Sequence, residues 1–160
     1  MNNRDLELHS FVRNCGFQGE DIISVKNDAS FRRYYRIKNK NLIVMDAPLD
    51  KGESIEQFRT VADIIHTINL SAPQIESFDT KHGFMLLEDF GQTSFSNILN
   101  KDNESELYKK AIEVLIEINR QSKSKEKKLS KLKSYSIDLL VNESLLFIAV
   151  SYTHLTLPTS

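Results

Sequence analysis

The chain has 160 residues, 40% of them hydrophobic, and its 21 lysines and arginines nearly balance 22 acidic residues, for a formal net charge of −1. That balance gives no electrostatic reason to expect nucleic acid or an anionic membrane as partner. The single cysteine, Cys15, excludes an internal disulfide and any multi-cysteine metal site. The first residues, M-N-N-R-D-L-E-L, hold no apolar signal core, and no run approaches the roughly 18 apolar residues of a membrane span. A soluble, globular, cytoplasmic protein is expected.

In chain order, Asp5 to Asn14 places Leu8, Phe11 and Val12 on one helical stripe, with Gly16 where a C-terminal cap belongs. Asp21 to Lys26, carrying Ile22, Ile23 and Val25, reads as a first strand. The stretch Asp28 to Pro48 then reads as a β-hairpin. From Phe31 the residues alternate, with Phe31, Arg33, Tyr35 and Ile37 on one face and Arg32, Tyr34, Arg36 and Lys38 on the other. Asn39-Lys40-Asn41 turns the chain. Leu42-Ile43-Val44-Met45 follows as a strand buried on both sides, and Pro48 ends it because proline cannot donate to a ladder. Three arginines thus stand near the start of one hairpin. The small-residue turn Asp28-Ala29-Ser30 beside fixed guanidinium groups suits phosphate oxygens; the same residues equally suit a solvated strand edge guarded by positive charge.

Ser54-Ile55-Glu56-Gln57 has the form of a capping box and starts a helix whose apolar face is Ile55, Phe58, Ala62, Ile65 and Ile68, ending at Leu70. Pro73 to Asp79 and Gly83 to Glu88 read as two more strands, which makes five. After Gly91 the pattern turns helical: Ser94 to Leu99, Glu104 to Asn119 and Ser136 to Ile148, the last with Ile137, Leu140, Val141, Leu145 and Ile148 on its apolar side. Lys123 to Lys133 is lysine-rich without arginine or aromatic residues, and is expected to be a solvated linker rather than a nucleic-acid patch.

This order of elements resembles the amino-terminal lobe of protein-kinase-like enzymes. D-A-S-F-R-R-Y-Y-R-I, V-M-D-A-P and G-F-M-L-L-E-D-F-G are similar to segments of the phosphotransferases related to aminoglycoside and choline kinases, and within them the bacterial anomeric kinases of N-acetylmuramate and N-acetylglucosamine. The likeness covers about Leu6 to Ile148. It implies an α+β fold, with a kinase-like lobe of a five-stranded antiparallel sheet and packed helix over 1–91, and the first helices of an incomplete helical lobe over 92–149. The implied cofactors are ATP and Mg2+, and the implied activity is transfer of the γ-phosphoryl of ATP to a sugar hydroxyl in cell-wall recycling. Ser30, Arg32 and Arg33 would lie at the ATP phosphates. Glu88, Asp89 and Phe90 would form the hinge whose backbone binds the adenine edge. Glu56 would be the helix glutamate, but the strand-lysine position falls at Met45 or Asp46. Its partner is then a hairpin arginine, or else it is a solvated first-turn residue favoured by the helix dipole.

Asp89-Phe90-Gly91 also spells the magnesium motif of protein kinases, yet it ends an apolar strand instead of following a catalytic loop, so it reads as hinge. None of His9, His66, His82 and His154 begins a His-x-Asp motif. No catalytic residue or metal ligand is therefore assigned, and both are expected in a missing half. The segment 150–160 resembles the translation of a sequencing-library adapter and is expected to be a non-native tail. Alternative readings are a kinase of another small hydroxyl compound, such as an aminoglycoside, choline or homoserine, or a non-catalytic nucleotide-binding or interaction module.

Overall fold

A computed structural model describes residues 3–17, 22–25, 30–124 and 136–145. Five strands form one antiparallel sheet, the α+β arrangement expected: β1 (Ile22–Ser24), β2 (Arg33–Ile37), β3 (Leu42–Asp46), β4 (Ile75–Asp79) and β5 (Phe84–Glu88), in the order β1-β2-β3-β5-β4. β2 begins two residues later than alternation alone implies. The Ser30 hydroxyl accepts the Arg32 amide at 3.1 Å, holding that stretch in a turn. The hairpin between β2 and β3 closes with the Lys40 amide on the Ile37 carbonyl, and Asn39 adopts the left-handed φ of 61° that asparagine tolerates.

Directly opposed residues share a face, so the pairings Arg33 with Asp46, Tyr35 with Val44, and Val44 with Leu86 define one side of the sheet. Helix α1 (Asn3–Asn14) covers that side, packing Leu8, Phe11 and Val12 against Ile37, Val44, Phe84 and Leu86. The Phe11 and Phe84 rings stack with centroids 5.6 Å apart. Cys15 packs at the edge of this cluster as a free thiol. The opposite side carries Met45, Ala47, Met85 and Leu87, sealed by Ile55 and Phe58 of helix α2 (Ile55–Thr67). β3 and β5 are therefore buried on both faces, which is why both read as unbroken apolar runs.

α2 starts at Ser54, whose hydroxyl oxygen accepts the Gln57 amide at 3.1 Å while the hydroxyl itself donates to the Glu56 carboxylate at 3.4 Å. The helix stops at Thr67, short of Leu70. Asn69 turns left-handed, its amide donates to the His66 carbonyl and the Leu70 amide to the Ile65 carbonyl, a Schellman cap with asparagine in the usual glycine position. Between β4 and β5, Gly83 has φ 73° and its carbonyl accepts the Ala47 amide at 2.8 Å; a Cβ there would lie 2.2 Å from the Ala47 oxygen.

Two further helices follow, α3 (Phe95–Ile98) and α4 (Glu104–Ser124), the second running past the expected Asn119 into the lysine-rich stretch. In α4 Leu107 is buried, whereas Tyr108, Ile112, Val114, Leu115, Ile116 and Ile118 are exposed. The chain divides into two compact units, Met1–Asn119 and Arg120–Ser160. In the second unit residues 137–145 are helical, capped by the Ser136 hydroxyl accepting the Leu139 amide at 3.2 Å, with Ile137, Leu140, Val141 and Leu145 exposed. Asp28, Ala29, Ile148 and the 150–160 tail lie outside the described residues.

Candidate functional site

The alternation of β2 sends its neighbouring arginines to opposite sides of the sheet, and each meets a different carboxylate. Arg33 faces α1. There it donates through Nε (3.0 Å) and Nη2 to Oδ2 of Asp46, the directly opposed residue of β3, and Nη1 lies 3.8 Å from Asp5. Arg4 of α1 takes the other oxygen of the same carboxylate, with Nε at 3.1 Å and Nη2 at 2.6 Å from Oδ1. Asp46 is fully buried, so two forked arginines satisfy a charge that would otherwise be intolerable inside the sheet. The Arg4 guanidinium also lies 4.1 Å over the Phe84 ring. This network fastens α1 to the sheet.

Arg32 and Arg36 belong to the α2 side. Arg32 donates through Nε to Oε2 of Glu53 at 2.6 Å and lies 5.8 Å from the Phe58 ring centre. Arg36 forks onto Asp89 through Nε and Nη2, and the same Nη2 donates to the Gly91 carbonyl at 2.6 Å. Asp89 in turn accepts the Gly91 amide at 2.8 Å, while its own amide donates to the Asn41 carbonyl at 3.0 Å. The Arg36 hydrogen bond holds the Asp89 carboxyl below its ordinary range against the opposing effect of burial. The segment leaving β5 is thereby tied to β2 and to the hairpin turn.

Among the residues singled out from sequence, Ser30 shapes the turn before β2 and Arg32 shares its side of the sheet with Arg36 and Asp89. Arg33 is on the other side. Glu56 stands in the first turn of α2, exposed and beside Ser54; the glutamate that pairs with a hairpin arginine is Glu53, one residue before the cap. The Glu88 amide donates to the Gln74 carbonyl, and Phe90 is exposed. Sequence reasoning missed Arg4, Asp46, Glu53 and the pairing of Arg36 with Asp89. Asp46 was legible in one respect: counting back from the Asn39-Lys40 turn sets it opposite Arg33. Among the described residues no three His, Cys, Asp or Glu side chains group to hold a metal ion, and no helix is long and apolar enough to cross a membrane.

No protein-family profile matches the chain. Three curated proteins do resemble it, each named N-acetylmuramate/N-acetylglucosamine kinase. The one from Pseudomonas aeruginosa is 36% identical over 98 residues, or 60% of this chain and 29% of that protein. That from Pseudomonas putida is 32% identical over 62% of this chain and 30% of its own length. The Neisseria meningitidis serogroup B protein is 31% identical over 64% and 32%. The matched part of this chain thus spans about three tenths of the length of these relatives. Over roughly 60% of its residues, this chain is similar to proteins named N-acetylmuramate/N-acetylglucosamine kinase.

Proposed function

We propose that this chain forms the nucleotide-binding lobe of a cytoplasmic, ATP-dependent sugar kinase that phosphorylates the anomeric hydroxyl of N-acetylmuramate or N-acetylglucosamine in cell-wall recycling. The observation that carries the reading is the likeness to three proteins named for those sugars. The disposition of the arginines supports it. Arg32 lies on the side of the sheet that also bears the Arg36–Asp89 tie, with Ser30 in the turn just before it, so one surface offers a guanidinium for phosphate oxygens and a braced backbone for the adenine edge. With the Glu88 and Asp89 amides already donating to Gln74 and Asn41, the Phe90 amide is the donor assigned to that edge.

In this reading Arg32 neutralises charge on the transferring phosphates, the positioning and electrostatic work that dominates phosphoryl transfer. Arg33, held by Asp46 on the opposite side, contributes to the fold and not directly to the nucleotide. The magnesium ion that bridges phosphate oxygens in such reactions has no ligand cluster among the described residues, so no step is assigned to it here.

A chimera tests the proposal: this chain replaces the matching third of the Pseudomonas aeruginosa relative. A folded chimera should phosphorylate N-acetylmuramate and N-acetylglucosamine with ATP, and alanine at Arg32 should raise the KM for ATP or lower kcat by about tenfold. A folded chimera that phosphorylates neither sugar would overturn the reading.

A further inference from the structure

Of the three hairpin arginines, only Arg32 meets its carboxylate through Nε alone. Arg33 commits Nε and Nη2 to Asp46 and turns Nη1 toward Asp5; Arg36 commits Nε and Nη2 to Asp89 and Nη2 again to Gly91. We infer that Glu53 is a positioning residue, which grips the Nε edge of Arg32 and so presents its Nη edge to the phosphate oxygens of a nucleoside triphosphate. The inference rests on the phosphate reading of the hairpin given above.

A guanidinium carries five N–H donors in a rigid plane, and four of them are on the two Nη atoms. Gripping only Nε fixes the plane while leaving the outer edge in the geometry that receives a phosphate by two parallel hydrogen bonds. The grip is itself anchored. Glu53 is largely buried, with 16% of its side chain accessible, and the next residue, Ser54, is fixed by accepting the Gln57 amide. Phe58, one turn into α2, lies under the guanidinium and limits its swing. Tyr34, two residues along on the same side, donates its hydroxyl to Met45 Sδ at 3.5 Å. The carboxylate comes from the loop leading into α2 and the ring from α2 itself, so α2 sets the aim of an arginine that stands just before β2.

Titration calorimetry of the 160-residue chain with ATP, inorganic tripolyphosphate and adenosine tests this at about 0.15 M ionic strength. Glu53→Gln should weaken ATP and tripolyphosphate by roughly fivefold to tenfold, the loss expected when a charge-assisted hydrogen bond no longer orders the guanidinium. Adenosine affinity should not change, and Glu53→Asp should recover part of the loss. Unchanged or tighter phosphate binding in Glu53→Gln would overturn the inference and leave the phosphate reading intact. A wild-type chain that binds neither ATP nor tripolyphosphate would overturn both. Equal loss of all three ligands, with a lowered melting temperature, would assign Glu53 to stability and overturn the positioning role.

Discussion

Replacing Asp46 by asparagine keeps the shape of a fully buried side chain and removes only its charge and one acceptor. Asparagine can still accept from Arg4 or from Arg33, but its amide nitrogen then faces the other guanidinium, donor against donor. Removing one partner of a buried ion pair costs about 3–5 kcal/mol, because the remaining charge is left uncompensated. Both arginines keep a quarter to a third of their side chains in water, so they can recover some hydration. The expected loss is therefore at the lower end, about 3 kcal/mol, against a total of roughly 5–15 kcal/mol for a domain of this size. Urea unfolding followed by far-ultraviolet circular dichroism would read it directly, with an unchanged m-value if the effect is on the native state. In a thermal scan the same loss is a drop of roughly 6–12 °C. Arg4→Gln should cost less, and the double variant should show coupling of at least about 1 kcal/mol. A loss under about 1 kcal/mol for Asp46→Asn, or additive effects of the two substitutions, would refute the idea that α1 is fastened by this carboxylate.

Three further outcomes are expected. Gly83→Ala should destabilise by about 2–4 kcal/mol, since it adds left-handed strain to a contact with the Ala47 carbonyl; a change below about 1 kcal/mol in urea unfolding would contradict that. Asp89 has a folded pKa below its unfolded value of roughly 3.9, so its pairing with Arg36 contributes stability above that pH and loses it as the pH falls through the folded value. The deficit of Asp89→Asn relative to wild type should accordingly be full at pH 7 and shrink below about pH 4, and a deficit constant to pH 2 would show that the charge plays no part. Finally, the 160-residue chain by itself should turn over neither N-acetylmuramate nor N-acetylglucosamine, as it has no His-x-Asp motif to supply the base; phosphate transfer above a no-enzyme blank would sink this.

Local signals in the sequence located the elements well. The three-and-four spacing of Ile55, Phe58 and Ala62, the serine before them, and the apolar runs of β3 and β5 each report an interaction within a few residues or a face buried whole. Element ends were less legible. Asn69 in a Schellman cap and Ser30 in a turn depend on backbone geometry that neither residue type dictates alone. The arginines mark the deeper limit. Alternation separates Arg32 from Arg33, but the carboxylates that decide their roles lie 21 and 13 residues away, and Asp89 lies 53 residues from Arg36. Such partners are chosen by strand order and helix placement. Nothing in the composition of D-A-S-F-R-R-Y-Y-R-I distinguishes an arginine that fastens a helix from one that faces a ligand.

The placement of Arg32 and Arg33 on opposite sides of the sheet also bears on how β2 finds its partner strand. A slip of one residue would turn every side chain of β2 through the sheet. Asp46 would then lose Arg33 as its cross-strand neighbour and face Arg32 or Tyr34, and Ile37 would leave the cluster beneath α1. The penalty falls on both sides at once, in unmatched charge as well as in exposed apolar surface. Two adjacent residues of one type, each with a carboxylate waiting on its own side, make the misaligned hairpin costly where the sequence R-R by itself would seem indifferent to alignment.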